Sequence, residues 1–424
     1  MRVAVLSLME AIGADPGALR GYLPIGGRSV LRHQIGLAVA LGARRIVVLA
    51  EGISGELVAL QHVAEAGGAQ FHVVATARAL VPLLAPEDDV IVLGDGLLAM
   101  PDAVSDAIEN GPVVLTLPGE TAVPMGFERI DLNHAFASVM RIPGRIAAGL
   151  ADLPAEWNAQ SALLRLAVQA RVTQRGVPAA MLEDGRWNIV RGEDEAHNTE
   201  RLWLRLHTGL AGKAAVSPGQ RLAIMVVRRF GPALLHAGTR PALVGLAAGV
   251  VGLLAAGLGW LGNYALAFAL MGAAWLVERV ASLLGQVERD SLLASGLARR
   301  GTALFHALID AGLVALAAWR SELPDHPAVP PGAGAFAPVL LLIGVRLVSL
   351  VLAERPWAQW IADRLLLSLM LSIASALLPF DASLAVAVVA LFAVCLAMLH
   401  FGAPGHSAAV AAQRVPNLQL TDRP

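Results

Sequence analysis

A water-soluble α/β domain followed by a six-helix transmembrane bundle is the fold class that this 424-residue sequence predicts, on three observations. The chain is 56% hydrophobic and only 15% charged, with mean hydropathy +0.63, whereas a soluble domain is roughly 45–50% apolar and about 25% charged. The apolar excess is concentrated beyond Pro241, in long runs of spanning length. Before about residue 210, short apolar runs alternate with helix-like segments, as in βαβ units. The composition excludes a disordered chain, and a net charge of -1 excludes a strongly basic nucleic-acid surface. A single cysteine, Cys395, excludes an intrachain disulfide framework and a cysteine-rich metal site.

The first strand is expected over residues 3–8, followed by a loop over 9–27 that carries several glycines. A helix over 29–40 leads to a strand at 45–49, and a helix over 54–66 to a strand at 71–74. Residues 89–93 make a further buried strand that runs into Gly94-Asp95-Gly96, and 113–117 another. Crossovers of this kind are right-handed and give a mostly parallel sheet. Ligands bind beyond the carboxyl ends of such strands, which puts the 9–27 loop and the Gly94-Asp95-Gly96 turn at one rim. The alternative reading of that turn is a bend held by its own aspartate.

Six apolar segments follow, over residues 241–262, 263–284, 302–319, 336–353, 361–380 and 382–401. Arg221, Arg228, Arg229 and Arg240 precede the first, Arg289, Arg299 and Arg300 separate the second and third, and Arg355 separates the fourth and fifth. Arg414 and Arg423 follow the sixth, while the opposite loops carry only Arg320. Positive-inside asymmetry then predicts a multi-pass bacterial inner-membrane protein with both termini cytoplasmic. Residues 211–240 read as a linker plus an interfacial helix, and 402–424 as a cytoplasmic tail. Glu278 and Asp310 fall within spans, where acids are costly and mark function by default unless they sit near span ends or pair with arginine, and Arg364 stands at the start of the fifth segment. His306 lies four residues before Asp310, so the two share a helix face.

The stretch Leu23-Pro24-Ile25-Gly26-Gly27-Arg28, with Asp95 after a buried strand, resembles the nucleotidyltransferases that activate sugar phosphates. The resemblance implies a Rossmann-like nucleotidyltransferase domain over 1–210. It implies that Gly13, Gly17, Arg20, Gly26, Gly27 and Arg28 hold a nucleotide such as CTP, and that Asp95 binds a divalent metal. The sequence departs from that family in its lysine: the only lysine of the chain is Lys213, beyond the domain.

The junction of such a domain with six spans resembles fused proteins that make CDP-inositol in front and transfer phosphoinositol behind. Their membrane half is a CDP-alcohol phosphatidyltransferase, and the resemblance covers nearly the whole chain. It implies transfer of a phospho-alcohol from a CDP-linked donor, with Mg²⁺ or Mn²⁺, in phospholipid or lipid head-group synthesis. The family's D-x-x-D-G-x-x-A-R and G-x-x-x-D-x-x-x-D aspartates have no counterpart: residues 241–400 contain neither aspartate spacing. In the best register Gly301 matches the second glycine, and Glu278, Glu288, Asp290 and Asp310 are the carboxylates from which a catalytic site is rebuilt. The alternative is a catalytically inactive scaffold or regulatory partner that keeps the fold. Expected partners are the lipid bilayer, a nucleotide or CDP-alcohol and a second copy of the chain as a homodimer, with no nucleic acid.

Overall fold

The structure is a computed structural model that describes residues 1–13, 15–154, 157–208, 216–236, 241–290, 297–321, 333–351 and 358–401. Side chains are described except at 16, 236, 288–290, 297–300, 350–351 and 398–401. The chain divides into two compact units: one of Met1–Gly212, Ile224–Leu243 and Val280–Gly296, the other of Lys213–Ala223, Val244–Arg279 and Leu297–Pro424.

The first unit is built on one seven-stranded sheet. Its strands are β1 (Arg2–Ser7), β2 (Arg45–Leu49), β3 (Gln70–Val74), β4 (Asp89–Leu93), β5 (Val113–Pro118), β6 (His134–Pro143) and β7 (Gln174–Gly176). The spatial order is β7-β5-β6-β4-β1-β2-β3. β1 lies parallel between β2 and β4, with Val5 opposite both Val47 and Val92. The sheet is mixed, because β6 runs antiparallel to both β4 and β5. The physical reason is the connection: β5 reaches β6 through residues 119–133, which hold one four-residue helix, Gly119–Ala122, and no crossover helix.

Alternation sends successive side chains to opposite faces, and each face of β1 has its own core. Ala4 and Leu6 pack with Leu31 and Ile35 of α1 (Val30–Ala40), Leu57 and Leu60 of α2 (Gly55–Ala66), and Val104 of α3 (Pro101–Ile108). Val3 and Val5 pack with Leu163, Leu164 and Ala167 of α4 (Ala159–Gln169). The sheet is therefore covered on both faces, as its near-continuous apolar strands require. Ser54 caps α2 through Leu57 N, and Asn158 caps α4 through Gln160 N and Ser161 N. The amphipathic helix α5 (Glu193–His207) buries Ala196, Glu200, Trp203 and Leu204.

Helix α6 (Pro218–His236) contains no acid and exposes Arg221, Leu222, Met225, Arg229 and Phe230. That mixture is the pattern of a helix at a membrane interface. The apolar helices that follow are α7 (Pro241–Trp260), α8 (Tyr264–Asp290), α9 (Leu297–Arg320), α10 (Phe336–Val351), α11 (Arg364–Leu377) and α12 (Phe380–Phe401). Four segments are long and apolar enough to cross a membrane: Pro241–Trp260, Tyr264–Val287, Gly301–Arg320 and Phe380–Ala397. Their outward surfaces are apolar: Leu246 is 66% exposed, Leu253 76% and Val389 68%, the signature of a face that meets lipid.

The fourth and fifth expected spans form shorter helices. α10 has 16 residues and α11 has 14, or ~24 and ~21 Å of rise against a hydrocarbon core of ~30 Å. Asp363 caps α11 through Leu365 N and Leu366 N, and extended backbone at Leu378 ends it before Phe380. Ile361 belongs to a separate short helix, Ala358–Ile361. The expected span over 361–380 is thus broken at both ends. Within the second unit, helices approach through small residues: a Cβ on Gly272 would lie 2.0 Å from Ser368 Oγ, and one on Gly259 2.2 Å from Leu316.

Candidate functional site

The front unit has a topological switch point between β1 and β4. The chain leaves β1 toward β2 and β3, then returns to β4 on the other side of β1. Crevices at the carboxyl ends of such strands are where α/β sheets bind ligands. Ser7 ends β1 there, and Asp95 follows β4 by two residues.

Asp95 is 5% exposed. Its Oδ2 accepts the backbone N–H groups of Met9 and Glu10, each at 2.9 Å, and the Ser7 hydroxyl at 3.5 Å. Its buried Oδ1 has no hydrogen-bond partner. Burial pushes this carboxyl up, and the two amides pull it back only in part, leaving it at about 6. Around it, Asn158 Nδ2 donates to Glu10 Oε1 at 3.2 Å, Arg20 Nη2 lies 3.8 Å from Glu10 Oε2, and Asp95 N donates to Gln160 Oε1 at 3.2 Å.

The flanking glycines are required by packing. A Cβ at Gly94 would lie 2.6 Å from Ser138 Cβ, and one at Gly96 (φ +76) would lie 2.4 Å from Val190 O. Ser138, buried in β6, itself holds φ 61 while its carbonyl accepts Gly94 N at 2.7 Å. Left-handed backbone at a non-glycine residue concentrates where a site is being shaped.

The residues expected to hold a nucleotide do not form one cradle. Gly13 (φ 61) turns a small hairpin between Ala11–Ile12 and Asp15–Leu19, and the Gly17 N–H is taken by Asp15 Oδ1 at 2.9 Å. Gly26 and Gly27, at φ 60 and 74, close a two-residue hairpin between Pro24–Ile25 and Arg28–Ser29. That turn packs on Trp203, Val287 and Leu235, and the Gly26 N–H donates to Glu200 Oε1 at 2.9 Å. The anion this amide meets is a side chain of the protein itself. Next to the turn His33 bonds Ile25 O at 2.9 Å and stacks edgewise on Trp203. Burial, with help from Arg28, lowers it to about 4, so it is neutral near pH 7. Arg20 is near Asp95 and Arg28 is near His33.

In the second unit, ionisable side chains converge within the apolar helices. Glu278 of α8 is 5% exposed and His306 Nε2 bonds its Oε2 at 2.8 Å. Asp310 of α9 is 3% exposed and is held by two arginines. Arg364 places Nε 3.2 Å from Oδ1 and Nη2 3.2 Å from Oδ2, and Arg346 of α10 bonds Oδ2 through Nη2. His306 and Asp310 do share a face of α9, yet each pairs with a different helix. Gly301 is exposed at the start of the part of α9 whose side chains are described, and is not on that face. The side chains of Glu288 and Asp290 lie outside the described residues.

These residues do not fit a pair of divalent metals. Two oxygens of Asp310 already face guanidinium groups, and Glu278 faces an imidazole. Among the described residues no three His, Cys, Asp or Glu side chains group as metal ligands. Asp95 offers one unpartnered carboxylate oxygen, a single ligand where Mg²⁺ takes one or two carboxylates beside water and phosphate.

Beside this centre, a cavity of about 670 Å³ is lined by Trp360, Met370, Leu378, Phe380, Leu384 and Leu391, among others, and is almost wholly apolar. An arginine partner for the buried acids and Arg364 at the start of the fifth segment were expected from the sequence, whereas Arg346 and the pairing of Glu278 with His306 were not. The signal was there: two arginines inside or at the mouth of apolar runs, as exceptional there as the acids. No known protein-family model and no curated protein sequence matches this chain.

Proposed function

We propose that the protein is a multi-pass membrane protein of the CDP-alcohol phosphatidyltransferase type. It takes a phospho-alcohol from a CDP-linked donor in phospholipid or head-group synthesis, with a nucleotidyltransferase-like front domain on the cytoplasmic side. The observation that carries this reading is the polar centre in which Glu278, His306 and Asp310, on helices long and apolar enough to span a membrane, meet Arg346 and Arg364 of the two shorter apolar helices. Ionised groups in such surroundings mark sites of function. The adjoining apolar cavity has the size and lining of an acyl-chain site.

A second reading, a non-catalytic scaffold or regulatory partner, is favoured by one observation. Every described carboxylate of the membrane centre already has an arginine or histidine partner inside the protein. CMP release by the full-length protein in lipid nanodiscs, across CDP-alcohol donors with Mg²⁺, Mn²⁺ or EDTA, separates the two. Release above the protein-free rate supports the transferase. Donor binding without release under any condition supports the scaffold.

A further inference from the structure

We infer that the membrane centre transfers a phospho-alcohol without a divalent metal, with Arg346 and Arg364 neutralising the donor phosphate and His306, oriented by Glu278, taking the proton of the acceptor. The inference rests on the transferase reading and replaces its metal chemistry.

Charge arithmetic carries the first half. Asp310 supplies one negative charge to two guanidinium groups, so these three residues by themselves carry one positive charge, while Glu278, the other carboxylate of the centre, is engaged by His306. Arg364 is 16% exposed at the side chain and is further tied to Ala362 O at 2.6 Å. Arg346 is 53% exposed at the side chain, so the excess charge is available at its outer edge. A planar guanidinium matches two phosphate oxygens at once. Asp310 holds both arginines in place and leaves the surplus to the ligand, so it acts as a positioning residue.

Geometry carries the second half. With Nε2–H donated to Glu278, the His306 ring presents Nδ1 as a proton acceptor. A carboxylate that fixes the tautomer of a histidine and stabilises its protonated form is a recurrent way to make a base. His306 is one turn from Asp310 on α9, so base and anion site lie on the same helix face. The step balances. The hydroxyl oxygen of the acceptor alcohol forms a bond to the donor phosphorus that carries the alcohol. The bridging P–O bond of the pyrophosphate breaks, and CMP leaves with the bridging oxygen and its electron pair. The hydroxyl proton passes to His306 Nδ1 and then to solvent.

The test uses full-length protein in nanodiscs with EDTA, a CDP-alcohol donor and an excess of acceptor alcohol, with donor binding measured beside turnover. CMP release that persists in EDTA is expected. His306→Asn should lower the turnover number ~100-fold or more with donor affinity unchanged, since general-base catalysis contributes roughly 10²–10⁴. Arg346→Gln should weaken donor binding ~10-fold and leave the thermal midpoint near that of the parent, because half of that side chain is exposed. Glu278→Gln should lower turnover and move the acid limb of the pH profile to lower pH, because the imidazolium loses its carboxylate, a shift that a purely structural carboxylate would not show. Release that appears only with Mg²⁺ or Mn²⁺ overturns the inference and leaves the transferase reading intact. Release in EDTA that His306→Asn does not slow overturns the assignment of the base. Donor binding with no release in any condition overturns the inference and the transferase reading together.

Discussion

Replacing Asp95 with asparagine changes one ionisable group and almost no volume, and its effect on stability depends on pH. In the fold this carboxyl sits at about 6, against an ordinary 3.8. The folded protein therefore holds its proton to higher pH than the unfolded chain. Because stability falls wherever the native state binds more protons, this group's contribution is fully present below about 3.8 and is lost as pH rises through about 6. The difference corresponds to ~3 kcal/mol. Other carboxyls act in the opposite sense. Burial works to raise Asp88, Asp89 and Glu195, but the N-terminal ammonium, Arg141 with Arg2, and Arg191 outweigh it and hold them low. They contribute stability above the ordinary carboxylate range that is lost in acid. Subtracting the Asp95→Asn curve from the wild-type curve removes these shared terms. The assay is hydrogen exchange of the β1 and β4 amides in the full-length protein, corrected for intrinsic rates, between pH 4 and pH 8. Wild type should lose ~2.5 kcal/mol relative to Asp95→Asn across that range. Parallel curves would refute the burial argument. Millimolar Mg²⁺ that flattens the wild-type curve alone would show a cation reaching Oδ1.

Three further outcomes are expected. Asp310→Ala leaves two guanidinium groups facing each other without their carboxylate, and should cost ~3–5 kcal/mol in an unfolding titration of the protein in detergent; a loss below ~1 kcal/mol would show the cluster to be solvated. Gly96→Ala, with φ +76 and a backbone oxygen 2.4 Å from the new Cβ, should cost more than Gly13→Ala, where φ is +61 and nothing lies within 4 Å; the Gly13 change should cost ~1–2 kcal/mol, and equal losses in thermal unfolding would contradict the packing. Reporter fusions after residues 262, 325 and 380 should read periplasmic and those after 295 and 357 cytoplasmic; a periplasmic signal at 357 would mean that α10 does not cross.

Much of the sheet was legible because β1, β2, β4 and β5 are buried on both faces and show as unbroken apolar runs ended by glycine or polar residues. β6 was not. Its apolar run is interrupted by Ser138, in a left-handed conformation, and by Arg141. The two short helices read as spans because hydropathy counts apolar residues and does not weigh Asp363, whose side chain starts α11 three residues late. Asp95 was legible from its place after a buried strand. Arg364 was legible at the start of an apolar segment, but Arg346 was not, because one arginine inside an apolar run does not say which acid it meets. Glu278 and His306 are 28 residues apart and Asp310 and Arg364 are 54 apart, separations that only the packed helices close.

The Arg346–Asp310–Arg364 cluster should hold the phosphate of a CDP-linked donor. Calorimetric titration of the full-length protein in nanodiscs with a CDP-alcohol, in EDTA, measures this directly. Saturable binding that Arg346→Gln weakens ~10-fold, or ~1.4 kcal/mol, is the predicted result. No binding of any CDP-alcohol by wild type, or binding that the substitution leaves unchanged, would contradict it.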